Sequence, residues 1–195
     1  MATLLSPLSQ LSETDLVAEC RRGNPRAQKV LYERLAPAML AVCLRYLRQT
    51  EDAEEALVLG FVKVFRALEQ YRSEGSFRGW VRRIMINEAL GQLRRKQPMH
   101  VDIDECHDGV AFMAATAESN LDTADLLRLI QELPAGYRTV FNLYAVEGYN
   151  HPEIAALLGI SEGTSKSQLS KARAALQRQL AVLHHSSFQA QSYAA

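Results

Sequence analysis

Gly159 is the residue that most constrains what this chain can fold into. It stands between His151-Pro152-Glu153-Ile154-Ala155-Ala156-Leu157-Leu158 and a second, longer amphipathic pattern that begins after Ser161. Pro152 suits the first turn of a helix, where its missing N–H would have no partner anyway. Ile154, Ala155, Leu157 and Leu158 give that helix an apolar side, and Gly159 fits the left-handed position that stops it. Ser161 is a good N-cap for the next helix. In that helix Ser165, Leu169, Ala172, Leu176 and Leu180 recur at helical spacing and mark a core side. The opposite side carries Thr164, Ser167, Gln168 and Lys171, flanked by Lys166, Ser170 and Arg173. Short polar and cationic side chains gathered there suit base edges and phosphates. The pattern is that of a helix-turn-helix whose second helix enters the major groove of DNA. A plain solvated helix is the alternative, and the correctly placed turn and cap argue against it.

The formal net charge is zero, which at first argues against a polyanionic partner. The distribution reverses that impression. Residues 1–96 hold 16 Lys/Arg and 11 Asp/Glu, residues 97–125 hold none and 7, and residues 126–195 hold 6 and 4. Two basic blocks flank an acidic segment, and local patches set nucleic-acid affinity. With 48% apolar and 23% charged residues the chain is globular.

No apolar run approaches the ~20 residues of a membrane span, and the N-terminus has neither a basic n-region nor an apolar signal core. A cytoplasmic protein without membrane insertion is expected. Cys20, Cys43 and Cys106 are odd in number and widely spaced, as buried thiols of a reducing compartment are. His100, Cys106 and His107, with Asp102, Asp104 and Asp108, match no metal-site spacing, so neither metal nor cofactor is expected. There is no nucleophile–base pair and no glycine-rich phosphate loop, which speaks against an enzyme.

Glycine and proline fall between helical patterns and no strand alternation persists, so the fold class is all-α. A first helix follows Ser12, with Leu16, Val17 and Cys20 on one side, and ends before Gly23-Asn24-Pro25. A longer one buries Ala27, Leu31, Leu35, Leu40, Cys43, Leu44 and Leu47, and Pro37 should bend or interrupt it. A third runs from about residue 51 to 70 with Leu57, Phe61, Val64, Phe65 and Leu68 inward. After the loop Tyr71–Ser76 a fourth spans roughly residues 77–96. It carries Arg78, Arg82, Arg83, Arg94, Arg95 and Lys96 against one acid, Glu88. Phe77, Trp80, Val81 and Ile84 read as its core stripe. Cations beside an aromatic pair also fit a groove for single-stranded nucleic acid.

Residues 97–121 are polar and acidic with no helical repeat, and form a linker. A second domain starts with Leu126, Leu127, Leu129, Ile130 and Leu133, ends a helix at Pro134-Ala135-Gly136, and continues through Tyr137, Val140, Phe141 and Tyr144 into the helix-turn-helix. Residues 1–11 and 184–195 read as tails, the latter frayed.

Residues 12–182 resemble a bacterial RNA polymerase sigma factor of the extracytoplasmic-function group, in a style similar to those of Bacteroidetes-type bacteria. Carrying the resemblance are Leu31-Tyr32-Glu33-Arg34-Leu35, Asp52-Ala53-Glu54-Glu55 through Gly60-Phe61-Val62-Lys63-Val64-Phe65, Phe77-Arg78-Gly79-Trp80-Val81-Arg82-Arg83-Ile84-Met85-Ile86-Asn87, Leu133-Pro134-Ala135-Gly136-Tyr137-Arg138, and the helix-turn-helix.

The resemblance implies roles. Residues 12–96 look like region 2, which binds the β′ clamp helices of core polymerase and opens the −10 element. Asp52, Glu55, Val58, Leu59, Phe61 and Lys63 fall on its polymerase-binding helix. Arg72, Ser73, Glu74 and Gly75 fall on the loop that cradles a flipped base, and Arg83, Ile84, Asn87, Arg94 and Arg95 on the helix that contacts the −10 strand. Residues 122–183 look like region 4, which meets the β flap and reads the −35 element through Thr164, Lys166, Ser167, Gln168, Ser170, Lys171 and Arg173. An anti-sigma factor is the expected further partner.

One departure stands out. The family usually places Gln and then Asp or Glu before the Gly-Phe pair, where this chain has Val58 and Leu59, which should face solvent without polymerase. The rival readings are a sigma-like DNA-binding regulator and an anti-sigma-binding module with weakened polymerase binding.

Overall fold

The computed structural model describes residues 8–96 and 123–192, which are helical and contain no strand. The chain divides into two compact units, residues 1–98 and 99–195. The acidic linker, the residues weighed for metal and Cys106 lie outside the described residues.

The first unit is built on four helices: α1 (Glu13–Arg21), α2 (Pro25–Tyr46), α3 (Thr50–Arg66) and α4 (Phe77–Lys96). Ser12 caps α1 by accepting from the Asp15 N–H, and Asn24 caps α2 by accepting from Arg26 and Ala27. Leu16, Val17 and Cys20 are buried as the sequence predicts. Helix α2 packs against the other three. Upstream of α1, Arg34 of α2 donates to the carbonyls of Leu11 and Ser9, both at 3.1 Å, and ties a short 3-10 turn at Leu8–Gln10 to the bundle.

Of the expectations for α2, one is narrowed and one corrected. The helix runs on through Pro37, so of a bend or an interruption it is the interruption that does not occur. Pro37 removes one backbone bond, on an exposed side, and the packed helix on either side of it outweighs that loss of about 3 kcal/mol. The buried set after Leu35 is Met39, Val42, Cys43, Tyr46 and Leu47, with Leu40 and Leu44 only half-buried. Facing three partners, α2 buries a wider arc than one apolar stripe marks. Helix α3 stops at Arg66 and a 3-10 turn at Leu68–Gln70 follows, with Phe65 half-buried. Burial pushes the Cys20 thiol up to about 11, with Glu19 adding to the shift, and the Cys43 thiol up to about 12. Both are free, buried and inert at neutral pH.

The second unit contains α5 (Thr123–Glu132), α6 (Ala135–Phe141), α7 (His151–Leu158) and α8 (Glu162–Ser192). Helix α8 packs against the other three, and Leu129, Ile130, Leu133, Ala172 and Leu176 form a core there. Arg138 is 2% exposed and donates to the carbonyls of Gln131 (2.9 Å) and Leu133 (3.2 Å), capping the end of α5 from within. The backbone of α8 stays helical to Ser192, past the point where a frayed tail is expected.

Candidate nucleic-acid interface

In the first unit the helix α4 has two unlike sides. Phe77, Val81, Met85, Ile86, Ala89 and Leu90 are buried, while Arg83, Asn87 and Arg94 are exposed at spacings of four and seven. Ile84 and Trp80 border that face and are half-buried, so only part of the expected core stripe is core. Trp80 belongs to an aromatic trio: Tyr71 lies 5.1 Å from Phe77 and 5.4 Å from Trp80, and Phe77 stacks on Trp80 at 5.7 Å. One edge of the trio is therefore open to a stacking partner beside Asn87.

The loop before α4 is held in a definite shape. Arg21 of α1 donates to the carbonyls of Leu68 (3.3 Å) and Tyr71 (2.5 Å), and the Tyr71 hydroxyl donates to the Gly75 carbonyl at 2.8 Å. Ser73 sits at φ 60° and Gly75 at φ 99°, and Ser76 accepts from the Gly79 N–H at 3.0 Å to start α4. A left-handed serine costs energy that its surroundings must offset. Between this loop and α1 lies a hollow of about 360 Å³ lined by Glu13, Val17, Arg21, Tyr71, Ser73 and Phe77 among others. Arg72, Ser73, Glu74 and Gly75 are exposed, and Ser73 and Gly75 line the hollow. Arg95 is exposed and lies 3.7 Å from the buried Glu88 carboxylate, an ion pair that the expected set does not include.

Helix α3 presents Val58, Leu59 and Val62 to solvent at 53%, 36% and 39% exposure. The expected exposure of the aliphatic pair is met, and Val62, one turn on, extends the patch. Glu55 and Lys63 are exposed too, with Lys63 paired to Glu88. Phe61 turns inward at 3% exposure, edge-on to Tyr32 at 4.7 Å. It holds the helix in place and does not offer a contact.

In the second unit the turn follows the sequence reading. Asn150 and Glu153 form a reciprocal capping box at the start of α7, one bond at 2.9 Å and the other at 2.8 Å. Gly159 closes that helix at φ 70°, ψ 34°. Ser161 accepts from the Thr164 N–H at 3.0 Å and so caps α8.

The outward face of α8 is narrower than expected. Lys166, Ser167 and Ser170 are exposed and Lys171 is half-exposed. Gln168 is half-buried against α6, where a Cβ added to Gly136 would meet its amide at 3.2 Å. Arg173 is turned to the other flank, over the Tyr144 ring at 5.6 Å. Thr164 shares a hydroxyl contact of 2.9 Å with Ser161 and serves the cap. Ser165, buried, meets His151 Nδ1 at 2.9 Å, and that ring stacks on Tyr144 at 4.8 Å. Neither the His151 pair nor the Arg173–Tyr144 contact is signalled by the sequence. Both join side chains far apart along the chain.

Comparison with known proteins places both units. Residues 31–98 match sigma-70 region 2 and residues 123–176 match sigma-70 region 4, together more than half of the chain. The chain is similar to the RNA polymerase sigma-H factor of Pseudomonas aeruginosa, 28% identical over 186 residues, covering 89% of this chain and 96% of that one. It is equally similar to the ECF RNA polymerase sigma-E factor of Escherichia coli K12, 28% over 179 residues, covering 86% and 93%. Among solved structures it resembles the sigma factor RpoE in complex with the anti-sigma factor NepR from Bartonella quintana, with a TM-score of 0.50, 26% identity, and 79% and 96% coverage.

Proposed function

Because this chain belongs to the sigma-70 family, in its extracytoplasmic-function group, we propose that it works as an alternative sigma factor that brings core RNA polymerase to promoters and opens them. It is an initiation factor and leaves catalysis to the polymerase. Its place of work is the cytoplasm, where polymerase and DNA are; no described helix is long and apolar enough to cross a membrane. On the sequence motifs alone, its style is similar to that of sigma factors from Bacteroidetes-type bacteria.

The observation that carries the reading is the pairing, in one chain, of two differently built DNA faces. The exposed Arg83, Asn87 and Arg94, beside a rigid loop and an open aromatic edge, suit an unpaired strand. The exposed Lys166, Ser167 and Ser170 and the half-exposed Lys171 on the second helix of a capped helix-turn-helix suit a duplex groove. Residues 12–96 then take the −10 element and 122–183 the −35 element, with 97–121 linking them. Arg72 to Gly75 form the rim of the base cradle. Glu55, Val58, Leu59, Val62 and Lys63 meet the polymerase clamp helices, and region 4 meets the β flap. An anti-sigma factor is the natural inhibitor, as in the RpoE complex.

Permanganate oxidation of unpaired thymines in promoter DNA tests this directly. Reactivity just upstream of the start site is expected only when core polymerase and this protein are both present. A folded protein that gives none, with core from its own host, overturns the reading. The second reading, a regulator that binds duplex DNA without polymerase, draws on the aliphatic patch at Val58, Leu59 and Val62, which replaces polar contacts with apolar ones.

A further inference from the structure

Beside the buried Ala89 and Leu90, the second half of α4 turns a polar row inward. Glu88, Gln92 and Lys96 follow one another at intervals of four and all face α3. Glu88 is 3% exposed and is paired with Lys63 of α3. Gln92, 2% exposed, donates to the Asp52 carbonyl at 2.8 Å and accepts from the Ala56 N–H at 3.3 Å. Lys96, the last residue of α4, places its ammonium on the Asp52 carboxylate. The Asp52 side chain is 14% exposed and the Lys96 side chain 53%.

These contacts divide the work along the seam. Gln92 pins the α4 backbone to α3 four residues before Lys96, so the last turn is anchored whatever Lys96 does. Lys96 has a long flexible stem and can leave Asp52 without moving the helix. It adjoins Arg94, on the face assigned to the −10 strand, and Asp52 lies on the helix assigned to polymerase. One anion of the polymerase-binding helix thus holds one cation of the DNA-binding helix.

We infer that Asp52 is a latch that withholds Lys96 from the DNA strand in the free protein, and that polymerase, by engaging α3, releases Lys96 to a promoter phosphate. The inference rests on the sigma-factor reading. Its physical basis is competition for a charge: the Asp52–Lys96 pair and a Lys96–phosphate pair exclude each other, so whatever neutralises Asp52 favours the strand. An ion pair of this partly exposed kind shifts such an equilibrium by no more than about fivefold. That modest size suits a bias on binding and not an all-or-none gate.

The test uses the full-length chain and a fluorescent single-stranded oligonucleotide carrying the non-template −10 sequence, with binding measured against salt concentration, alone and with saturating core polymerase. Asp52→Asn should raise the affinity of the free protein about three- to fivefold and steepen its salt dependence by about 0.7, the value of one added single-strand phosphate contact. The gain should vanish in the Lys96→Met background and should be absent once core is bound. Glu54→Gln removes the same charge from the exposed side of α3 and should give a smaller change. Lys96→Met alone keeps Asp52 and should weaken the strand complex only in the presence of core, which gives a readout even where free-protein binding is faint. An equal gain from Asp52→Asn with and without Lys96, or an unchanged salt slope for Lys96→Met in the core complex, overturns the latch. Failure of the wild-type protein with core to bind the strand at all overturns the sigma-factor reading and the latch with it.

Discussion

Gly60 of α3 faces Met85 of α4 so closely that a Cβ at position 60 would lie 2.3 Å from the Met85 Sδ. Both residues are buried, and α3 and α4 form an extensive contact in the first unit. This glycine lets α3 and α4 come close. Gly60→Leu adds a side chain where even a methyl group would have to displace the end of the buried Met85 side chain. The loss of stability should be about 3 kcal/mol, the upper range for overpacking. Urea unfolding of the two proteins measures it. A variant as stable as wild type would show that the helices part freely and that the close approach has no consequence.

The exposed patch of Val58, Leu59 and Val62 is a prediction about polymerase. Buried against a partner, two such side chains contribute about 1–2 kcal/mol after allowance for their partial burial beforehand. Val58→Gln combined with Leu59→Asp should therefore weaken core binding about tenfold and make what remains more sensitive to salt. Competition binding with core polymerase at two salt concentrations checks this. A double variant that binds more tightly would favour the polar interface usual in the family and mark the aliphatic pair as serving another partner.

For α8, the helix proposed to read the duplex, the burial pattern ranks the residues. Lys166→Ala should weaken −35 DNA binding about equally for all sequences and flatten the salt dependence by about 0.9, as loss of one duplex phosphate contact does. Ser167→Ala and Ser170→Ala should change which −35 sequence is preferred. Gln168→Ala should leave the preference alone, because that side chain packs against Gly136. Binding selection from a randomised −35 duplex library reads all four. A shift of preference with Gln168→Ala would contradict the packing argument.

His151 gives the second unit a pH dependence of known sign. Burial holds its pKa below the ordinary imidazole value, with Lys166 adding to the effect. The fold therefore prefers the neutral ring, and below the ordinary value the unfolded chain binds the proton more readily. The contribution is fully present above that pH and is lost as the solution turns acid. NMR titration should show His151 protonating at lower pH than a free histidine. Slow-exchange amides around Ser165 should lose protection between neutral pH and about pH 5, and His151→Asn should remove that change. A His151 that titrates above the ordinary value would reverse the sign.

Much of this was legible in the sequence because it is local. Ser12, Asn24 and Ser161 act within three residues of themselves, and Gly159 needs only its own φ. What the sequence hides depends on partners distant along the chain. Periodicity chose Leu40 and Leu44 over Met39, Val42 and Tyr46, because a stripe drawn for one neighbour cannot anticipate a helix packed against three. Pro37 offered a bend or an interruption of α2, and no interruption follows, since one lost backbone bond is small beside the packing of 22 residues. The packing of Gln168 is hidden too, since the approach of α6 at Gly136 leaves no mark on the α8 pattern. The nearness of Arg95 to Glu88 and the α3–α4 polar seam have no signature in either helix alone.

Run-off transcription on a fragmented genomic promoter library, with purified core polymerase from the host and with or without this protein, tests the central claim most directly. The account predicts discrete start sites that depend on the protein and share a two-block upstream motif, and loss of those transcripts with Asn87→Ala in a variant that still binds core. A folded protein that binds core yet yields no specific start site on any fragment would contradict it.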